Sequence, residues 1–220
     1  MRKNPLVIGE VYHVFTRSIA NFLIFNNAEE FNRVIQLLRY YQFNNNPKFS
    51  DFLAQKSVQI FGFDSALKTI TKNEKPIVQI IAYCLMPTHL HLILKQLEDH
   101  GISTFMSNIL NGYTRYFNSK HKRKGPLWES EFKNVLVEND EQLYHLSRYL
   151  HLNPVTAHLV EKPENWVFSS YQEFISQSKD VEICDFMELI DIEPSSYKKF
   201  VNDQISFQRE LDKIKHLLLD

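Results

Sequence analysis

The sequence predicts an α+β fold, in which a β-α-β-β-α-β core closes one antiparallel sheet and a further helix and a helical tail follow it. Three observations carry this. Strand-like apolar runs recur at residues 11–18, 77–86, 89–95 and 133–137. Segments with apolar residues at helical spacing lie between the first and second of these runs, and again between the third and fourth. The breaks fall at turn-forming positions such as Pro87-Thr88 and Gly125-Pro126.

Taken in order, VYHVFTRS at 11–18 is apolar and β-branched enough for half-buried pairing. Asn27 then opens a helix with Glu29 and Glu30 in its first turn, and Phe31, Val34, Ile35, Leu38 and Tyr41 form its apolar stripe. Residues 44–76 begin NNNP and contain a short apolar-periodic piece from Phe52 to Leu67, read as an inserted helical excursion. Residues 77–86 and 89–95 form a hairpin about Met86-Pro87-Thr88. Gly101 to Ser119 is a second long helix carrying Ile102, Phe105, Ile109, Leu110, Tyr113 and Phe117. After the fourth strand at 133–137, Asp140 can N-cap a helix to about Leu152, with Leu143, Leu146 and Leu150 on its core side. This order is the ferredoxin-like split βαβ arrangement. Residues 1–175 read as one domain, and 176–220 as an acidic extension of two or three short helices.

Composition narrows the function. Apolar residues make up 44% and charged residues 23% of the 220, an ordinary globular balance. Two cysteines 100 positions apart, Cys84 and Cys184, provide neither a disulfide framework nor a zinc cluster, which fits a reducing cytosol. MRKNPLVIGE has no apolar core of a secretory signal, and Gln79, Pro87, Thr88, His89 and His91 interrupt the most apolar stretch, which disqualifies it as a membrane span. The expectation is a soluble, cytoplasmic protein without a membrane partner. The net charge of −1 hides an asymmetry: residues 1–172 carry 19 basic and 15 acidic side chains, and 173–220 carry 6 and 11. No acid lies between Asp99 and Glu129, whereas Arg115, Lys120, Lys122, Arg123 and Lys124 all do. Such a zone suits a polyanion, although cations also favour a helix C-terminus through the macrodipole.

The sharpest local feature is MPTHLHLILK at 86–95. Alternation along a strand sends His89, His91, Ile93 and Lys95 to one face and Leu90, Leu92 and Leu94 to the other, the core face. Two imidazoles two residues apart are spaced to chelate one divalent metal through neutral ring nitrogens. Strands that merely expose two histidines show the same pattern. In HLSRYLHLNPVTAHLV at 145–160, Tyr149 and Asn153 stand four residues apart, so both sit on one helical face, and Pro154 ends or bends the helix beside them. Tyr149 is one of ten tyrosines; Tyr113 and Tyr116 could stack on bases, and Tyr12, Tyr40, Tyr83 and Tyr171 read as packing residues.

AYCLMPTHLHLIL resembles the His-hydrophobic-His segment of the HUH single-tyrosine transposases, in particular the REP-associated tyrosine transposases, which usually read A-x-x-x-M-P-N-H-x-H-L; Thr88 here replaces the usual Asn. The segment 145–160 resembles the family's R-Y-I/L-H-x-N-P-V-x-A-G-L-V, with His158 where Gly is common. NGYTRYFNSKHKRKGPLW at 111–128 and WVFSSY at 166–171 are similar to two further family motifs, and YHVFTRS also fits. The family often has Arg where Glu131 stands, so one phosphate contact does not carry over. The resemblance spans residues 11–43 and 77–172.

It implies Tyr149 as nucleophile and His89, His91 and Asn153 as ligands of Mg²⁺ or Mn²⁺. The activity implied is metal-dependent cleavage and strand transfer of single-stranded or hairpin DNA through a 5′-phosphotyrosine, by a monomer or homodimer. Phosphate pairing would fall to Arg115, Lys120, Lys122, Arg123 and Lys124, and base stacking to Tyr113, Tyr116 and Trp128. Two other classes fit the residues: a non-catalytic nucleic-acid-binding module on a ferredoxin-like sheet, and a metal phosphohydrolase without a covalent step.

Overall fold

The computed structural model describes residues 5–44, 47–176 and 183–208. Four strands, β1 (Val11–Arg17), β2 (Val78–Met86), β3 (His89–Gln96) and β4 (Lys133–Leu136), pair in the order β2-β3-β1-β4, every neighbour antiparallel. This is the ferredoxin-like arrangement expected. The alternation of β3 explains its two faces: Leu90, Leu92 and Leu94 are fully buried with Tyr12 and Val14 of β1 beneath the crossover helices α1 (Ala28–Tyr41) and α4 (Gly101–Lys120). The start of α4 is tied to that layer by the Gln96 side chain, which accepts from the Ile102 N–H. A Cβ on Gly101 would stand 2.3 Å from the Ile77 carbonyl oxygen, so only glycine lets the helix begin so close to the β2 backbone.

Asn27 caps α1 as expected, accepting from the Glu30 N–H. The excursion contains α2 (Phe49–Leu53) and α3 (Lys56–Thr71), interrupted at Gly62, where φ is +82°. Phe49 and Phe52 bury their rings against Tyr40 and Tyr41 of α1. Among the described residues no helix is long and apolar enough to cross a membrane.

The last long helix, α5 (Asp140–Thr156), covers the face of the sheet opposite α1 and α4 and packs mainly on β2. Three details differ from the sequence expectation. Its N-cap is Asn139, which accepts from the Gln142 N–H, and Asp140 is the first helical residue. Asn and Asp cap equally well, so adjacent candidates cannot be ranked by type. Pro154 lies inside the helix, which continues to Thr156. The helix closes two residues later, where the His158 N–H donates to the Val155 carbonyl and the Leu159 N–H to the Pro154 carbonyl. This is a Schellman closure with His158 in the left-handed region (φ +53°), which explains why glycine is the usual residue in the matching motif.

The third difference lies in what faces the core. Leu146 is only half-buried, and the fully buried positions include the polar Ser147 and His151. His151 bridges three elements: Nε2 meets Ser170 Oγ at 2.9 Å, and Nδ1 meets the Tyr197 hydroxyl at 2.7 Å. Ser170 is the next-to-last residue of the WVFSSY segment, just before α6 (Tyr171–Ile175), and Tyr197 belongs to α7 (Pro194–Asn202) in the tail. Residues 166–170 run along the outer edge of β2. There the Leu85 N–H donates to Phe168, the Ser170 N–H to Tyr83, and the Trp166 indole to the Leu85 carbonyl. The strap satisfies a sheet edge that would otherwise expose backbone donors and acceptors.

Two outcomes follow from these contacts. Replacing His158 with Gly removes the left-handed penalty and should raise stability by up to about 1 kcal/mol in urea unfolding, because the entropy cost of glycine offsets part of the gain. Tyr197→Phe should lower it by about 1–3 kcal/mol in the same assay, because the buried Nδ1 of His151 loses its partner.

Candidate active site

Antiparallel pairing sets His13, Phe15 and Arg17 of β1 beside Ile93, His91 and His89 of β3, all on the face that α5 covers. His13 Nε2 lies 3.0 Å from His91 Nδ1, and the two rings stack at 5.2 Å between centroids. His89 stands edge-on to His91 at 5.0 Å, and its Nδ1 is 2.9 Å from Thr88 Oγ1. With both Nδ1 atoms engaged, the Nε2 atoms of His89 and His91 are the nitrogens left for a ligand. Burial disfavours the imidazolium at each site. His13 is driven down to about 4, His89 is lowered, and His91 is lowered well below the usual histidine range, so all three are neutral at pH 7.

From α5, Tyr149 brings its ring edge-on to His91 at 6.0 Å and to His13 at 6.4 Å, while 43% of the residue stays exposed. Burial of its phenol side raises the hydroxyl pKa above the ordinary tyrosine value. Asn153 lies one helical turn further along, and its Nδ2 is buried with no hydrogen-bond partner. A cleft of about 340 Å³ opens beside His89 and His91, lined also by Arg17, Asn21, Glu129 and Lys133. Arg17 and Glu129 are joined there by two hydrogen bonds, and both remain about half exposed.

The structure therefore brings together the two histidines and the tyrosine singled out from the sequence, across about 60 residues of chain. It adds His13, Arg17 and Glu129, which the sequence reading passed over. Their signal was present: in VYHVFTRS the alternation places His13, Phe15 and Arg17 on one face. Which strand that face would adjoin is decided only by the sheet order.

The expected DNA contacts do not form one surface around this site. Tyr113 is a correction: it is fully buried and donates its hydroxyl to the Ile24 carbonyl, so it cannot stack on a base. Trp128 is likewise committed to packing, half-buried, with its indole N–H shared between the Leu110 carbonyl and Thr114 Oγ1. Arg123 staples its own loop by donating to Asn118 and to the Gly125 and Pro126 carbonyls. Lys120 is paired with Glu29 and Glu30 of α1. Lys122 and Lys124 are exposed on the loop after α4. Arg115 and Tyr116 line a separate cleft together with Lys120. Tyr113 is misplaced by charge density because the 20-residue amphipathic helix α4 turns it inward while turning Arg115 outward.

Comparison with known proteins agrees with the motifs. Residues 51–153, which include His89, His91, Tyr149 and Asn153, match the family model of IS200-like transposases. A protein of Haemophilus influenzae described as a REP-associated tyrosine transposase is 26% identical over 103 residues, a match spanning 42% of this chain and 58% of that protein. The fold is shared with the solved structure of a REP-associated tyrosine transposase bound to a REP hairpin, at a TM-score of 0.52 and 14% identity, covering 87% of this chain and 98% of the other. The resemblance read from the motifs is thus borne out.

For Tyr113, Tyr113→Phe should cost about 1 kcal/mol of stability through the lost hydroxyl bond and leave the affinity for single-stranded DNA unchanged. Urea unfolding and fluorescence anisotropy check the two halves of this statement.

Proposed function

We propose that this chain, a relative of the IS200-like transposases, is a metal-dependent endonuclease and strand transferase acting on single-stranded DNA at hairpin or repeat elements. Its intermediate is a 5′-phosphotyrosine on Tyr149. The observation that carries the reading is the approach of the partly exposed Tyr149, from a helix, to the neutral imidazoles of His91 and His13 on the sheet. The family match supports the class of reaction, and the fold shared with a hairpin-bound protein supports the class of substrate.

Among the described residues no three His, Cys, Asp or Glu side chains gather around a metal position, and the donor set implied by the family resemblance is His89 and His91 with the amide of Asn153. The set fits a divalent ion. Both imidazoles are neutral with Nε2 unengaged, and the buried amide of Asn153 has a polar end that the protein does not satisfy. Turning that amide end for end presents its oxygen instead. Bound Mg²⁺ or Mn²⁺ would act as a Lewis acid on the scissile phosphate, and imidazole ligands suit Mn²⁺ better than Mg²⁺.

The protein's own groups do the rest. The Tyr149 oxygen attacks phosphorus and forms the O–P bond to the 5′ side, giving up its proton. The P–O3′ bond breaks, and the 3′ oxygen leaves as a hydroxyl after taking up a proton. Burial keeps the resting phenol protonated, so it ionises only as attack proceeds. Arg17 and Lys133, in the cleft beside His89, are placed to pair with non-bridging phosphate oxygens once Glu129 releases Arg17. Because the phosphotyrosine keeps the energy of the broken diester, a 3′-hydroxyl can reseal the strand without ATP.

The test is denaturing-gel analysis of end-labelled hairpin-bearing single strands incubated with protein and Mn²⁺. A protein-linked band holding only sequence 3′ of the cut should appear. It should vanish in Tyr149→Phe, which retains DNA binding, and fall at least about 100-fold in His89→Ala or on chelation with EDTA. Cleavage that survives in Tyr149→Phe would assign the attack to water. Tight binding with no cleavage would leave a binding module.

A further inference from the structure

A second cleft, of about 640 Å³, lies on the outer side of the α1/α4 layer, so the helices and the sheet stand between it and Tyr149. The excursion builds one of its walls. Phe49 at the start of α2 donates its N–H to the Tyr41 hydroxyl and packs on α1, which sets Lys48 at the rim. Across from it, Arg115 projects from the solvent side of α4. The lining contains Arg33, Lys48, Arg115 and Lys120 and no acidic side chain. Lys120 is neutralised by Glu29 and Glu30, and Glu29 also lies close to Arg33. Lys48 and Arg115 have no carboxylate partner among the described residues. The Arg33 guanidinium lies over the Tyr116 ring at 4.6 Å and over the Phe49 ring at 5.5 Å from their centres, in the same cleft.

We infer that this cleft holds a phosphate-bearing, unpaired stretch of the DNA strand, with Lys48 and Arg115 on phosphate oxygens and the Arg33–Tyr116 pair as the platform for a base. The inference rests on the nucleic-acid reading above and gives that substrate a second anchoring place away from the cut. The size lies within the roughly 300–1,000 Å³ range of small-ligand sites, which fits a nucleotide unit. Unpaired cations in a concave, acid-free surface concentrate polyanions, and guanidinium and phenol groups stack on bases without regard to sequence. Free nucleotides carry the same chemistry, so the test separates the two sources.

The experiment is fluorescence anisotropy of a labelled hairpin with a single-stranded extension, across a salt series and without divalent metal. Binding is thus read independently of cleavage, and failure of the phosphotyrosine reading would leave this result standing. The double variant Lys48→Ala/Arg115→Ala is compared with Lys68→Ala/Lys72→Ala, which removes the same charge from α3 and the residue that follows it. The first should weaken binding about tenfold at 0.15 M salt and reduce the log–log salt slope by about 1.4, close to two single-strand phosphate contacts. The second should change neither beyond a small uniform loss. Equal effects of the two doubles would reduce the cleft to general charge and overturn the proposal, as would no effect of the first. Competition by free AMP that the first double abolishes, with DNA affinity unaltered, would assign the cleft to a free nucleotide and likewise overturn it.

Discussion

The buried imidazole of His151 holds the arrangement together. Tyr149 can face the histidines of β3 only if α5 lies at one fixed height and rotation over β2. Two residues beyond Tyr149, His151 locks both by bonding to Ser170 on the β2 strap and to Tyr197 on the tail helix. Ser170 also bonds backbone groups of Tyr83, and Tyr197 reaches Ser147 on the same face of α5. Each polar atom in this chain is buried, so breaking one link leaves another unsatisfied in low dielectric. A fully apolar stripe would have let α5 slide or rotate at little cost; directional bonds do not. The motif therefore carries a structural role at His151, two residues beyond the tyrosine proposed as nucleophile.

The same burial that fixes the geometry sets the charge state of the site. Desolvation keeps His13, His89 and His91 neutral, as the proposed ligation would require, and it raises the Tyr149 hydroxyl, which by itself would oppose the proposed attack. In the proposed reading a divalent cation would reconcile the two, since it would stabilise developing negative charge and need its histidine ligands uncharged. His13, engaged with His91 Nδ1, supports the ring from the neighbouring strand and directs its other nitrogen outward.

The positive charge of the chain serves two places. Arg17 and Lys133 line the cleft at the imidazoles, while Lys48 and Arg115 line the one on the opposite side of the molecule. A substrate spanning both would be held away from the bond being broken as well as beside it, and affinity and bond cleavage could then be altered separately. Among the described residues, 47–76 of the excursion shape the outer cleft, and the inner cleft is lined by β1, β3 and the segments around them.

Much of this was legible in the sequence because it is local. Period-two alternation gave the imidazole face of β3, the four-residue spacing placed Tyr149 and Asn153 together, and Asn27 announced the start of α1. Charge density misled where amphipathicity governed: Tyr113 and Trp128 lie in or beside the basic zone but point into the core. Ser147 and His151 were hidden for the converse reason, since a polar side chain in a helix declares itself buried only when its partners are known, and those come from residues 19 to 50 positions away. By itself the sequence determined the elements, their order, and the two motifs on which the proposed chemistry rests. Tertiary structure alone decided that β1 lies beside β3, adding His13 and Arg17 to the site, and that the basic residues divide between two faces, because strand neighbours and helix facing are settled by long-range packing that no local pattern encodes.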